Sequence, residues 1–222
     1  VSLVIDVGDR PGPGRERGIS AAAAAIKRGD LVVLPTESVY GLAADPFSPR
    51  AMRALREAKG RGDDLPVGVL VGAVRTVDGL ASGITADGRA LIEAFWPGPL
   101  TLVVREQPTL AWDNPAGHVS LRMPLHPVTL GVLAATGPLA VTSAQRAGSA
   151  PPRTCADAEG QLGDGIALYL DAGETIAEAP SSIVDLTVDP PVLLREGAFS
   201  LQALREVCPD LVGADAAGRS DG

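Results

Sequence analysis

Leu31-Val32-Val33-Leu34 is a continuous aliphatic run closed by Asp30 on one side and Pro35 on the other. Such a run fits the length of a buried strand and is too short for a helix, so a sheet must lie at the centre of the fold. The residues that follow, Thr36-Glu37-Ser38-Val39-Tyr40, are then a strand-end loop. In open α/β sheets such loops form the crevice where ligands bind, which makes Thr36, Glu37, Ser38 and Tyr40 candidates for chemistry. An ordinary strand exit, with a proline and a capping threonine, accounts for the segment equally well.

The rest of the chain alternates between the two periods. Strands are expected at Leu3–Ile5, Val67–Val71, Leu100–Val104, Val119–Met123, Leu139–Thr142, Ile166–Leu170, Ser182–Leu186 and Val192–Arg195, the last two as an antiparallel pair across Val188-Asp189-Pro190-Pro191. Helices are expected from Ser20 to Arg28, Pro49 to Ala58, Val74 to Leu80, Asp87 to Phe95, Pro127 to Thr136, Cys155 to Leu162 and Leu201 to Val207. Gly8 to Gly14 reads as a loop. Residues 1–18 are expected to be an extension packed on or leading into a single α/β domain over 19–211. The Gly, Ala, Asp and Ser that dominate 212–222 have little to bury and read as a frayed tail.

Composition narrows the classes. A chain of 222 residues with 45% hydrophobic content can bury a substantial core without staples. Cys155 and Cys208 are too few for a disulfide scaffold or a four-cysteine zinc site. No apolar run reaches membrane-spanning length and the start lacks a basic signal-peptide region, so a cytoplasmic protein is expected. The net charge of -8 argues against coating nucleic acid by bulk electrostatics, and 3% aromatic content is thin for stacking bases. An acidic shell can still focus an anion onto a few converging cations, and Arg53, Arg56, Lys59 and Arg61 are clustered, although Arg53 and Arg56 read rather as a solvated helix face that ends at Gly60.

Lys59 and Arg61 flank a glycine just past a helix end, where they suit a polyphosphate, lysine as a mobile point charge and arginine as a two-pronged donor. Basic residues there also complement the helix dipole, so both roles stay open. Ser143 follows a strand, with Thr142 beside it and Gly148 downstream, so hydroxyls and backbone N–H groups there can cradle an anion. Arg122, between Leu121 and Met123, and Arg195, at the end of Val-Leu-Leu-Arg, are unusual strand residues that fit either a ligand or an edge ion pair. The chain lacks the Gly-Lys-Ser/Thr phosphate loop, the dinucleotide glycine fingerprint, a His-Glu-x-x-His helix and the Gly-x-Ser-x-Gly elbow. Its only histidines are His118 and His126, so a covalent triad is not expected.

Several motifs, taken in order, resemble one family. They are Pro35-Thr36-Glu37-Ser38-Val39-Tyr40-Gly41-Leu42, Lys59-Gly60-Arg61 with Leu65-Pro66, Trp96-Pro97-Gly98-Pro99-Leu100-Thr101, Leu121-Arg122-Met123-Pro124, Thr142-Ser143-Ala144, and Ser181-Ser182-Ile183-Val184-Asp185 with Leu194-Arg195. Over roughly residues 19 to 207 the chain resembles the YrdC/Sua5 family of L-threonylcarbamoyladenylate synthases. The resemblance implies a YrdC-like open, twisted, mixed parallel and antiparallel sheet with flanking helices and a large concave cleft. It implies ATP, L-threonine and bicarbonate as substrates, with Mg²⁺ held mainly by the ATP phosphates and no protein metal site. It also implies a product used for threonylcarbamoyladenosine at position 37 of tRNA, and transient contact with tRNA or a threonylcarbamoyl transferase.

On the family pattern, Lys59, Arg61, Ser143 and Arg195 fall on triphosphate-binding positions, with Gln145 in the same loop. Thr36 and Tyr40 fall on the threonine and carbamate side, and Arg122 and Ser181 serve both. Lys59, Arg61 and Thr36 are the expected catalytic groups, acting by orientation and charge neutralisation rather than as nucleophiles. One departure stands out: where the family most often reads Ser-Ala-Asn-x-Ser-Gly, this chain reads Ser143-Ala144-Gln145-Arg146-Ala147-Gly148. Misplacing a polar group by about 1 Å can cost on the order of 100-fold in rate. A degenerate nucleotide-binding relative, a related carbamoyl-adenylate enzyme and a non-catalytic RNA-binding module are the competing expectations.

Overall fold

The computed structural model describes residues 2–8, 10–60, 67–107, 117–175 and 179–214. Its frame is an 11-stranded mixed sheet. In chain order the strands are β1 (Leu3–Asp6), β2 (Val32–Leu34), β3 (Gly41–Ala44), β4 (Gly68–Leu70), β5 (Leu100–Arg105), β6 (His118–Arg122), β7 (Leu139–Ser143), β8 (Leu168–Asp171), β9 (Ser182–Asp185), β10 (Val192–Arg195) and β11 (Val212–Gly213). They lie in the order β1-β8-β2-β3-β7-β4-β6-β5-β9-β10-β11. The β2–β3, β3–β7, β4–β7, β5–β6 and β9–β10 pairs are antiparallel, and the β1–β8, β2–β8, β4–β6, β5–β9 and β10–β11 pairs are parallel.

Among the described residues seven α-helices pack on the two faces: α1 (Pro13–Lys27), α2 (Pro49–Ala58), α3 (Val77–Leu80), α4 (Ala86–Phe95), α5 (Pro127–Thr136), α6 (Cys155–Leu162) and α7 (Leu201–Arg205). The two-residue period of the strands divides the core between the faces. Val32 and Leu34 point, with Leu168 and Leu170, into a cluster with Ala22, Ala25 and Ile26 of α1 and Val128, Val132 and Leu133 of α5. Leu31, Val33 and Tyr169 point the other way, against α2 and α6. Further along the sheet Val69, Leu102, Leu121 and Val184 bury against Leu91 and Ile92 of α4 and Leu204 of α7. Each fully buried leucine or valine of this kind contributes roughly 1.5–3 kcal/mol by leaving water.

Local chemistry sets the helix ends. Ser48, Thr85, Thr154 and Ser200 each accept a backbone N–H through the side chain at the N-termini of α2, α4, α6 and α7. The helix expected from Ser20 begins earlier, at Pro13, because proline suits the first helical turn and the N–H it lacks would be unbonded there. Gly18 does not interrupt α1: a Cβ there would stand 2.4 Å from Val7 Cγ1, so glycine lets the helix press onto the strand layer. Secondary structure also extends past the expected end, since Val212 and Gly213 pair with β10. Residues 215–222 lie outside the described ones. Among the described residues no helix is long and apolar enough to cross a membrane.

Candidate functional site

The strand register builds a cleft floor from small and polar residues. Gly41 lies beside Ser143, Gly68 beside both Val141 and Ser120, and Leu70 beside Arg122. These residues share a sheet face. Leu70 and Leu139 on that face complete the core under α1 and α5. Beyond them Thr101, Ser120, Arg122 and Ser143 remain half-buried, and a cavity of about 280 Å³ opens over them. Thr36 and Ser38 from the β2–β3 loop, with Ser181 and Arg195, form its walls. The floor stays low because side chains are missing: a Cβ on Gly41 would stand 2.8 Å from Val141 Cγ1.

Two arginines bring positive charge to this cavity. Arg122 donates from Nε to Gly98 O at 3.1 Å, from Nη1 to Ser38 Oγ at 3.4 Å, and from Nη2 to the carboxylate of Glu37. Arg122 and Glu37 side chains are each only 11% exposed, so this ion pair sits out of bulk water. Leu121 is fully buried and Met123 packs against the same core, as the strand alternation requires. Arg195 donates from Nε and Nη2 to Ser181 O, at 3.0 and 2.8 Å, and from Nη2 to Ser181 Oγ at 3.0 Å. Ser181 Oγ also accepts from Thr101 Oγ1 at 3.0 Å. Burial, and then the neighbouring positive charge of Arg122, lower the pKa of Arg195. The two guanidinium groups therefore feel one another across a cleft that favours an anion.

The β2–β3 loop owes its shape to Thr36. Its Oγ1 donates to Val39 O at 2.6 Å and accepts from the N–H groups of Ser38 and Val39, each at 3.2 Å. That hydroxyl-to-backbone pattern is a local turn motif. Tyr40 is fully buried, donating to Gly173 O at 2.6 Å and accepting from Ala172 N at 3.0 Å. Burial is the main cause of a phenol pKa far above its ordinary value. Tyr40 lines a second cavity of about 270 Å³, with Glu37, and the two cavities share Thr36.

Lys59 is the C-cap of α2 and only 4% exposed. Its Nζ donates to Ser143 O at 2.7 Å and to Gln145 O, while its own carbonyl accepts from Ala147 N at 3.3 Å. The lysine thus clasps the loop after β7. Gln145 Oε1 is buried and has no hydrogen-bond partner, and neither Gln145 nor Lys59 is among the residues lining the 280 Å³ cavity. Arg146 is exposed.

Of the residues singled out in the sequence, the fold brings Thr36, Arg122, Ser143, Ser181 and Arg195 around one cavity. It sets Tyr40 behind that cavity and Lys59 and Gln145 beside the loop that bounds it. Arg61 lies outside the described residues. Reasoning from the sequence passed over Ser120 and Gly68. For Ser120 a signal existed, since His118, Ser120 and Arg122 alternate with Val119 and Leu121 and so mark one open strand face.

Comparison with known proteins matches this architecture. A family model for Sua5, YciO and YrdC proteins, described as telomere recombination, matches residues 24–197. A Mycobacterium tuberculosis protein provisionally named threonylcarbamoyl-AMP synthase is 51% identical over 205 residues, covering 91% of this chain and 93% of its own. The threonylcarbamoyl-AMP synthase of Pyrococcus abyssi is 33% identical over 214 residues, covering 95% of this chain and 62% of its own. A crystal structure of Pyrococcus abyssi Sua5 complexed with L-threonine superposes with a TM-score of 0.90 at 31% identity, over 100% of this chain and 65% of that one. The present chain thus spans somewhat under two thirds of the archaeal protein and nearly all of the mycobacterial one. With the open mixed sheet, the flanking helices and the anion-facing cleft of a YrdC-like fold, the chain belongs to the Sua5/YciO/YrdC family.

Proposed function

We propose that this protein makes L-threonylcarbamoyl-AMP from L-threonine, bicarbonate and ATP, releasing pyrophosphate, and so supplies the activated group for threonylcarbamoyladenosine at tRNA position 37. The observation that carries the reading is the cleft itself. Two buried-edge arginines and a ring of hydroxyls face one cavity, in a chain whose fold matches a Sua5 that binds L-threonine. The threonine amine attacks the carbon of bicarbonate and water leaves, giving an N-carboxylate. A carboxylate oxygen then forms a bond to the α-phosphorus of ATP as the bond to pyrophosphate breaks.

Charge moves from the carbamate to the leaving pyrophosphate during that step. Arg122 and Arg195 are fixed before the reaction, so they offset this charge without reorganising. Thr36, Ser143 and Ser181 supply hydroxyls on the same wall, Lys59 sets the loop that carries Ser143, and Arg61 adds a phosphate contact. On this reading Tyr40 supports the threonine and carbamate side from behind, and Gln145 lies on the nucleotide side. Mg²⁺ enters on the ATP phosphates, which hold it through the reaction. The enzyme works in the cytoplasm, meeting tRNA or a threonylcarbamoyl transferase only transiently.

The test is product analysis with ¹³C-bicarbonate, ATP, Mg²⁺ and L-threonine. Mass spectrometry should show a labelled threonylcarbamoyl adduct of AMP together with pyrophosphate. Nucleotide binding with no labelled adduct would overturn the reading.

A further inference from the structure

We propose that Glu37 is a positioning residue for the cleft, acting through Arg122; the proposal rests on the functional reading above only in naming the ligand. A guanidinium carries five N–H groups. In Arg122 the Nε–H, one N–H of Nη1 and one of Nη2 are taken by Gly98 O, Ser38 Oγ and Glu37 Oε1. A planar group held at three corners has a single orientation, and one N–H on each terminal nitrogen remains for the cavity that Arg122 lines. Ser38 is a distant partner at 3.4 Å and Gly98 O is neutral, so the charged contact with Glu37 is the strongest of the three restraints.

Glu37 is itself held at both oxygens. Its Oε2 accepts from Leu125 N at 3.2 Å, in the segment leading into the N-terminus of α5, where the helix dipole favours a carboxylate. The carboxylate therefore ties the β2–β3 loop, the end of β6 and the approach to α5 to one another. It also has an electrostatic consequence. Arg195 feels the charge of Arg122, and without Glu37 the two cations would face each other across the cleft with no carboxylate paired to either among the described residues. Repulsion and lost anchoring would then turn Arg122 away from the productive direction. Glu37 makes no contact with the reacting atoms in this account.

The test has a ligand-free arm and a ligand arm. In the ligand-free protein the Nε–H proton of Arg122, assigned by its loss in Arg122→Lys, should be resolved and slow to exchange by NMR. Glu37→Gln keeps the volume, but its amide offers one acceptor oxygen to two donors, so that signal should broaden or exchange at least tenfold faster while the backbone amide spectrum stays native. Glu37→Asp, which retracts the charge by one methylene, should give an intermediate exchange rate and keeps the question open to decision should the glutamine variant fold poorly. In calorimetric titrations with L-threonine and with pyrophosphate, Glu37→Gln should weaken L-threonine at least tenfold. Combined with Arg122→Ala, it should add less than twofold to the loss from Arg122→Ala alone. An unchanged Arg122 signal in both Glu37 variants, or losses that add fully in the double variant, would overturn the positioning role. Wild-type protein that binds neither ligand, with the Arg122 signal still dependent on Glu37, would instead overturn the functional reading and leave the positioning role standing.

Discussion

Replacing Lys59 with methionine isolates what the lysine does to the loop after β7. Methionine retains most of the apolar stem and removes the ammonium, so the loss reports the clasp on Ser143 O and Gln145 O rather than a packing void. Hydrogen bonds from a charged donor contribute roughly 1.5–3 kcal/mol each, and those to Ser143 O and Gln145 O are removed here. Two effects reduce the sum. The buried ammonium no longer needs desolvating, and the loop carbonyls lie next to exposed Arg146 and Ala147, where water can reach them. A net destabilisation of about 2–3 kcal/mol is the expected outcome, equivalent to roughly 5–10 °C in melting midpoint for a protein of this size. Urea denaturation of Lys59→Met against wild type measures it, and nucleotide titration of the same samples should show ATP weakened much more than L-threonine, because Ser143 borders the loop. A change in unfolding free energy below about 0.5 kcal/mol, with ATP affinity intact, would refute the clasp and the phosphate-side role together.

Other perturbations probe separate parts of the site. Gly197→Ala would place a Cβ 2.3 Å from Pro180 O and 2.7 Å from the carbonyl carbon of Ser181, so the segment that anchors Arg195 must shift; calorimetry should show weakened pyrophosphate binding with the core intact by near-UV circular dichroism. Burial is the main cause that raises the Cys155 thiol to about 12 and the Tyr169 phenol to about 12, so the folded state keeps protons that the unfolded state releases above its own, lower pKa values. The contribution of these two groups to stability should therefore be constant below about pH 8 and be lost as pH rises from 9 toward 12, and Cys155→Ala should flatten the lower part of that alkaline fall in urea midpoints. Gln145→Asn should leave stability unchanged, since Gln145 Oε1 has no partner to lose. It should also raise turnover, more so with Ala147→Ser; unchanged turnover in both would remove any functional weight from this departure.

The parts of the fold legible in the sequence were those with a local cause. Pro49–Ala58, Pro127–Thr136 and Cys155–Leu162 end where prolines, caps and glycines end them, and the structure places them at those bounds. Gly41–Ala44 carries no strand signal of its own, because residues buried on both faces show no alternation and three of these four are small. Only pairing with β2 and β7 makes it a strand. The same divide runs through the site. Arg122 and Arg195 stood out as charges inside apolar strands, a local oddity. That Arg122 should find Glu37, or that Lys59 should close on the loop carrying Ser143, depends on residues more than eighty positions apart coming together, and no spacing rule encodes such meetings.

The glycine at position 68 sets a gauge for what the cleft admits. A methyl group there would meet Ser120 O and Val141 O at 3.6 Å and Ser120 Cβ at 3.9 Å, all ordinary contacts, so the folded backbone can accept alanine where Gly41 cannot. Removing a glycine also restricts the unfolded chain, which usually stabilises a protein by about 0.4–1 kcal/mol when the native conformation tolerates the change. Gly68 is then a place where greater thermal resistance and a roomier ligand bed are mutually exclusive. It offers a handle for chemical genetics: an inhibitor shaped to the bare floor would be excluded by a single methyl, giving a resistant yet well-folded control protein.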